Sequence, residues 1–231
     1  MSVWAISDLH LSLARPDPRE RYAGRWRDHL AKLEAQWRAA VAPGDLVLLP
    51  GDLSMARNHR DVQPDLVWLD RLPGTKVLAA GNHDGWWNGV EKVRPLLRKS
   101  LLAVGGDAVA THGVVVCGTR GAEAAEEDET PEASRELTLL DSALAAAAVL
   151  RTAGEPLYVL WHYPPFDRHR RPGPCVRPIE AAGASACVYG HLHTMAQWST
   201  AVQGVVNGVR YACVAADAVG FRPLRVDGPR R

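Results

Sequence analysis

The sequence predicts an α/β fold. Two observations carry that prediction: five short apolar runs are spread along the chain, and stripes of apolar residues at intervals of three and four lie between them. Strand-length runs alternating with helical stripes are the signature of sheets packed against helices. No repeat and no linker composition interrupts the pattern, so residues 1–231 read as one domain, a length that buries a substantial core.

The elements follow in order. Val3 to Ile6 reads as a buried strand, and Trp26, Leu30, Leu33, Trp37 and Val41 then mark one face of a helix. A second strand, Leu46 to Leu49, precedes a helix carrying Leu66, Leu69 and Leu72. The third strand, Lys76 to Ala80, leads to a helix with Val90, Val93 and Leu97. Residues 101 to 118 suggest short strands turned at Gly105-Gly106 and His112-Gly113, and Glu123 to Glu129 an acidic, solvated loop. Thr130-Pro131 supplies a cap and an N1 proline for a fourth helix running to Leu150 through Leu137, Leu140 and Leu144. Leu157 to Trp161 and Ala186 to Tyr189 are the last two buried strands. The tail from Ala196 to Val226 reads as strands with turns at Gly204 and at Asn207-Gly208, the latter a hairpin signal.

Composition narrows the class. Lys and Arg number 27 against 26 Asp and Glu, a formal charge of +1, with 23% charged and 47% hydrophobic residues. These values suit a folded globular chain. Near-neutral charge argues against a protein held on nucleic acid or anionic membrane by bulk electrostatics. The apolar stretch around Leu144 to Leu150 falls far short of the ~20 residues that span a bilayer. The N-terminus lacks a basic segment and a long apolar segment, and the first chemistry-bearing residue is already Asp8, so no removable leader is expected. Cys117, Cys175, Cys187 and Cys213 form no CxxC pair and read as reduced, buried thiols, so a cytoplasmic location is expected.

The chemistry stands at the strand ends. After the first strand comes Asp8-Leu9-His10; after the second, Gly51-Asp52; after the third, Gly81-Asn82-His83-Asp84. The later pair deliver His162 and Gly190-His191-Leu192-His193. Open α/β sheets build sites at the carboxyl ends of their strands, so these loops are expected to converge. Residues two apart in an extended segment point the same way, which would let Asp8 and His10 face one ion; His191 and His193 would do likewise, or reach two adjacent ions from a slightly twisted loop. Glycines 51, 81 and 190 are read as sharp turns beside the site. Imidazole, carboxylate and amide donors without thiolate suit Mn, Fe, Zn or Co in a catalytic site rather than a closed structural zinc. Any one of these motifs is weak; the ordered set DxH, GD, GNHD, H and GHxH is not.

At these residues the sequence resembles the calcineurin-like metallophosphoesterases, from Asp8 to His193. It is also similar to a small bacterial branch of predicted phosphohydrolases through Gly118-Thr119-Arg120-Gly121, His162-Tyr163-Pro164-Pro165 and Tyr189-Gly190-His191-Leu192-His193. The resemblance implies a β-sandwich flanked by helices, a four-layer αββα arrangement, with two divalent metal ions. Mn²⁺ is the first expectation, with Fe, Zn, Ni or Co as alternatives. It implies Asp8, His10 and His193 on one metal, Asn82, His162 and His191 on the other, and Asp52 bridging. His83 would lie beside the metals as the catalytic group, stabilising charge or protonating the leaving group.

One departure bears on substrate. Protein phosphatases of that superfamily carry GDxxDRG, and here the segment is Gly51-Asp52-Leu53-Ser54-Met55-Ala56-Arg57, without the second Asp that would orient the histidine. Asp84 is adjacent to His83 but is not thereby its orienting group. The expected function is metal-dependent phosphoester hydrolysis, leaning to phosphodiester or nucleotide-like substrates; the alternatives are a phosphomonoesterase and a non-catalytic metal-binding scaffold. Substrate contacts are expected from Arg120, from Trp86 or its neighbour Trp87 as an aromatic wall, and from His169 in the basic run Arg168 to Arg171. Substrate choice is expected in residues 121–132 and 166–178, and nothing in the sequence sets the oligomeric state.

Overall fold

Burial on both faces explains why the predicted strands are so uniformly apolar. The computed structural model describes residues 1–15, 24–123 and 130–228. In chain order, β1 (Val3–Ala5) is followed by a 3₁₀ turn (Gly24–Trp26), α1 (His29–Ala40), β2 (Leu46–Pro50), α2 (Gln63–Asp70) and β3 (Thr75–Ala79). Then come α3 (Val90–Val93), a second 3₁₀ turn (Arg94–Leu96), β4 (Leu101–Ala103), β5 (Asp107–Thr111), β6 (Val114–Thr119) and α4 (Pro131–Leu150). The chain continues through β7 (Leu157–Trp161), α5 (Val176–Ala181), β8 (Ala186–Tyr189), α6 (Met195–Thr200), β9 (Gly204–Val206), β10 (Val209–Cys213) and β11 (Leu224–Arg225).

The strands form two sheets, in the orders β11-β1-β2-β3-β4 and β5-β6-β7-β8-β10-β9. Within the first, β1 to β4 are parallel and β11 pairs antiparallel on β1. Within the second, β6, β7, β8 and β10 are parallel, with β5 and β9 antiparallel at the edges. Side chains alternate between faces along each strand. Leu46 and Leu48 of β2 therefore meet Val116 of β6 and Leu160 of β7 between the sheets. Val47 and Leu49 point the other way, onto Leu33 and Trp37 of α1 and Leu66 and Leu69 of α2. The second sheet repeats the device, with Cys117 and Val159 against Leu140, Ala143 and Ala147 of α4. Helices thus cover both outer faces of a sandwich, as the αββα expectation requires. Each fully buried Leu or Val contributes about 1.5–3 kcal/mol.

Several elements differ from expectation. Trp26 lies in a 3₁₀ turn ahead of α1, packed against the core rather than within the helix. The tail was expected to be strand throughout, but it begins with α6, residues Met195–Thr200. Thr194 Oγ1 accepts from the Gln197 N–H at 3.2 Å while Gln197 Oε1 accepts from the Thr194 N–H at 3.0 Å, a capping box that nucleates this helix. α5 was not anticipated: its six residues are too short to show a period. The hairpin at Asn207-Gly208 joins β9 to β10 as expected. Of the acidic loop read over Glu123 to Glu129, residues 124–129 lie outside the described residues. The four cysteines are free and buried. No helix among the described residues is long and apolar enough to cross a membrane.

Lys76 is a charged residue buried inside β3, with Nζ donating to the Leu72 carbonyl and, at 3.2 Å, to Ser100 Oγ. Burial pushes its pKa down to about 8, against the attraction of Asp70. Between that value and the unfolded value near 10.5 the unfolded chain binds more protons, so this group makes stability rise with pH. Buried thiols act in the opposite sense: burial pushes Cys117, Cys175 and Cys213 up to about 12, so the unfolded chain releases their protons first. The two effects separate in the difference between wild type and Lys76→Met. In urea titrations the stability of wild type minus that of Lys76→Met is expected to rise by roughly 1–3 kcal/mol between pH 7 and 10. A pH-independent difference would contradict the burial of a charged lysine.

Candidate metal centre

Backbone hydrogen bonds between loops bring the strand ends together. Asp8, His10 and Leu11 donate their N–H groups to the carbonyls of Gly51, Asp52 and Leu53 at 2.9–3.0 Å. Gly190 donates to the His162 carbonyl at 2.9 Å, and Ser7 donates across to Val214 at 2.9 Å, tying the two sheets at the same end. The DxH segment is not extended, contrary to the geometric reading of its spacing. Asp8, His10, Asp52 and His191 all have left-handed φ, between 45° and 71°. Such conformations disfavour ordinary side chains, and surrounding structure must hold them. They turn the backbone at each donor and so aim the side chains at a common point.

Two of the three glycines serve close approach rather than turning. A Cβ at Gly81 would sit 2.1 Å from Asp52 Oδ1, and one at Gly190 would sit 2.1 Å from Asp8 Oδ2. Gly51 alone of the three has positive φ, 88°.

All seven predicted ligands surround one another closely. Asp8, His10 and His193 bring one donor atom each within 4.8 Å of the others, and so do Asp8, Asp52 and His162. His193 Nε2 lies 3.3 Å from Asp8 Oδ1 and 3.5 Å from His10 Nε2. Asn82 Oδ1 lies 2.8 Å from His162 Nε2 and 3.0 Å from His191 Nδ1. Asp52 stands between these groups: Oδ2 is 3.8 Å from His10 Nε2, and Oδ1 is 3.6 Å from His162 Nε2.

The outward nitrogens explain how three of the rings are aimed. His162 Nδ1 donates to the Pro50 carbonyl at 3.0 Å, His10 Nδ1 faces Met55 Sδ at 3.3 Å, and His193 Nδ1 faces Asp217 Oδ1 at 3.1 Å. Each contact fixes a ring and leaves Nε2 directed inward, the arrangement usual behind metal-ligating histidines. With its proton on Nδ1, His162 Nε2 carries a lone pair 2.8 Å from the Asn82 oxygen. Two lone pairs so close are reconciled by a cation between them, so the donor set fits a metal. Burial, and then the neighbouring His162, lowers the His191 pKa to about 4, and burial likewise lowers His162, so both rings are neutral near pH 7. Burial opposes charge on His193 too, but its hydrogen bonds to Asp217 and Asp8 raise it to about 10. Burial also opposes charge on Asp8, yet its hydrogen bond to His193 and the adjacent imidazoles hold it well below the usual carboxylate range.

Asp217 was not anticipated. It follows β10, a strand of the unassigned tail, and the strand-end rule applied there would have found it. Asp217→Asn is expected to weaken metal binding about 10–100-fold in chelator competition. Unchanged affinity would remove Asp217 from the support of His193.

His83 lies at the rim, its side chain 48% exposed, with Nε2 4.0 Å from Asp52 Oδ2. Its backbone N–H donates to Asp52 Oδ1 at 2.8 Å, so the carboxylate placed between the clusters also positions this loop. Asp84 points away from His83 into the loop. It accepts from the N–H groups of Gly81 at 2.8 Å, Leu53 at 3.0 Å and Ser54 at 2.9 Å, and from Trp86 Nε1–H at 3.0 Å. It clasps the Asp52 loop to the Asn82 loop. Burial and the charge of Asp52 push its pKa up to about 7.

The expected substrate contacts fare differently. Trp86 is 1% exposed, pinned by Asp84 and packed in the core, so it offers no face to a substrate. Its neighbour Trp87 is half-buried and lines an open cleft. Arg120 lines the same cleft, but its guanidinium is paired with Glu132 and, at 3.7 Å, with Glu136. His169 stands on an exposed turn organised around Asp167, which accepts from the backbone N–H groups of His169 and Arg171 at 2.8 Å. It is not among the side chains gathered in either metal-holding group.

A thiolate-free cluster of imidazoles and carboxylates at converging strand ends marks a metal-dependent hydrolase. The chain belongs to the calcineurin-like phosphoesterase family, whose sequence model matches residues 1–195. It is accordingly a phosphoester hydrolase of a family that works with divalent metal ions. No curated protein matches it. Among solved structures, the phosphopantetheinyl hydrolase of Mycobacterium tuberculosis is similar at 15% identity and a TM-score of 0.55, covering 100% of this chain and 97% of its own. A protein of unknown function, AQ665 from Aquifex aeolicus, aligns at 14% identity and a TM-score of 0.48, covering 97% of this chain and 95% of its own. At these identities the M. tuberculosis likeness speaks to fold alone.

Proposed function

We propose that the protein hydrolyses phosphodiesters at a dinuclear metal centre, with Mn²⁺ the first candidate for both ions. Asp8, His10 and His193 would hold one ion, Asn82, His162 and His191 the other, and Asp52 would contribute an oxygen to each. The observation that carries this reading is the position of Asp52, one oxygen toward His10 and the other toward His162. Divalent ions bound there supply Lewis acidity toward the phosphoryl oxygens and lower the pKa of water for in-line attack.

The chain's own groups supply the rest. Carboxylates of Asp8 and Asp52, both buried, and neutral imidazoles of His162 and His191 present lone pairs without competing protons. His83, exposed at the rim beside Asp52, is placed to give a proton to the departing alkoxide. The diester preference is supported by Arg120: two glutamates already neutralise it, leaving it poorly suited to the extra charge of a monoester dianion.

The test is hydrolysis of bis-p-nitrophenyl phosphate and p-nitrophenyl phosphate by metal-stripped protein refilled with Mn²⁺, Ni²⁺, Zn²⁺ or Mg²⁺. Metal-restored turnover, faster on the diester, is expected. Faster monoester turnover would reverse the substrate preference. Bound metal with no turnover would favour a metal-binding scaffold instead.

A further inference from the structure

Next to Asn82 a cleft of about 510 Å³ opens between the loop after β3 and the Thr119-Arg120 turn with the start of α4. Its volume lies in the range of small-molecule sites, roughly 300–1,000 Å³. Trp87, Asn88, Glu91, Arg120 and Arg135 are among the residues that line it. Trp87 is held by its backbone N–H on the Asp84 carbonyl at 2.8 Å and by the ring of Trp86, whose centroid is 5.3 Å away. The aromatic wall is therefore fixed on the same loop that carries Asn82 and His83.

Charge decides what such a cleft accepts. Arg120 is paired with Glu132 and Glu136, and Glu136 also accepts from Thr119 Oγ1 at 2.5 Å and the Gly121 N–H at 3.1 Å. Asp84, though it lines the cleft, is turned onto backbone N–H groups. What remains is one guanidinium, Arg135, which no ion pair engages among the described residues, and one carboxylate, Glu91. A second phosphate would find no excess of positive charge. A neutral ring with donors and acceptors on its edge would find an aromatic face, a guanidinium and a carboxylate.

We propose that this cleft is a nucleoside subsite, in which a base stacks on Trp87 while Arg135 and Glu91 hydrogen-bond the base edge or sugar hydroxyls. The proposal rests on the hydrolase reading of the adjoining cluster, and it defines the substrate class as esters of a nucleoside phosphate.

Thymidine 5′-(4-nitrophenyl phosphate) and methyl 4-nitrophenyl phosphate share a leaving group and differ in nucleoside against methyl. With Mn²⁺-loaded protein, kcat/KM is expected to favour the nucleoside ester. Trp87→Ala is expected to reduce that preference about tenfold, through KM, with Trp87→Phe restoring most of it. Arg135→Ala and Glu91→Gln, at exposed positions, are expected to reduce it too, and they keep the test decisive where Trp87→Ala does not fold. Calorimetric titration with thymidine is run in parallel. Thymidine binding that these variants lose, without turnover of either ester, would support the subsite and count against the hydrolase reading alone. An unchanged preference in all three variants, or no turnover together with no thymidine binding, would overturn the subsite.

Discussion

Asp52→Asn is expected to reduce diester hydrolysis at least about 10³-fold and to lower bound metal to one ion or fewer per chain. The magnitude follows from what the carboxylate does in three places. It faces His10 with one oxygen and His162 with the other, so both ions of the proposed pair lose a negative ligand at once. Lewis-acid stabilisation by such ions is worth several kcal/mol, and about 1.4 kcal/mol is a tenfold change in rate. Oδ1 also accepts the His83 N–H at 2.8 Å, so an amide in the wrong orientation would set an N–H against an N–H and loosen the His83 loop. Asparagine is nearly isosteric, and the close approach of Gly81 to Asp52 remains possible, so the fold should survive. Elemental analysis and diester kinetics on a variant with a wild-type melting profile check this. Full metal occupancy with full activity would remove Asp52 from the proposed bridge.

Much of this was legible because strands and chemistry share one rule. A parallel strand buried on both faces must be apolar, and its carboxyl end must turn, so a polar residue there stands out. Asp8, Asp52, Asn82, His162 and His191 were readable in that way. The route to their convergence was not, because spacing in a sequence does not reveal φ: the DxH pair meets through left-handed turns rather than an extended segment. Gly81 and Gly190 were read as turn formers, yet their role is to let Asp52 and Asp8 approach, a contact between distant segments. Trp86 and Trp87 are adjacent and chemically identical, and only packing decides that the first is buried and the second faces the cleft. α6 was hidden by the hairpin signal that follows it, although Thr194 and Gln197 carried its capping box in plain view.

His83→Ala is expected to leave metal content intact and to lower activity in proportion to how poor the leaving group is. Its ring stands outside both metal-holding groups, half exposed, with Nε2 4.0 Å from Asp52. A group so placed can meet a leaving oxygen entering from solvent, whereas Asp84, the neighbouring acid, is committed to four N–H donors and cannot. An alkoxide departing without a proton is costly, while p-nitrophenolate departs readily unprotonated. Across p-nitrophenyl, phenyl and alkyl esters of one phosphodiester series, the loss should grow from a few-fold to about 10²–10⁴-fold, the usual range for general acid catalysis. Equal loss on every ester would instead make His83 a charge stabiliser acting at the phosphoryl oxygens. Undiminished turnover of alkyl esters would leave it with neither role, and the acid would have to be sought among the other groups at the rim, of which Tyr163, its ring 4.5 Å from that of His191, is the first to test.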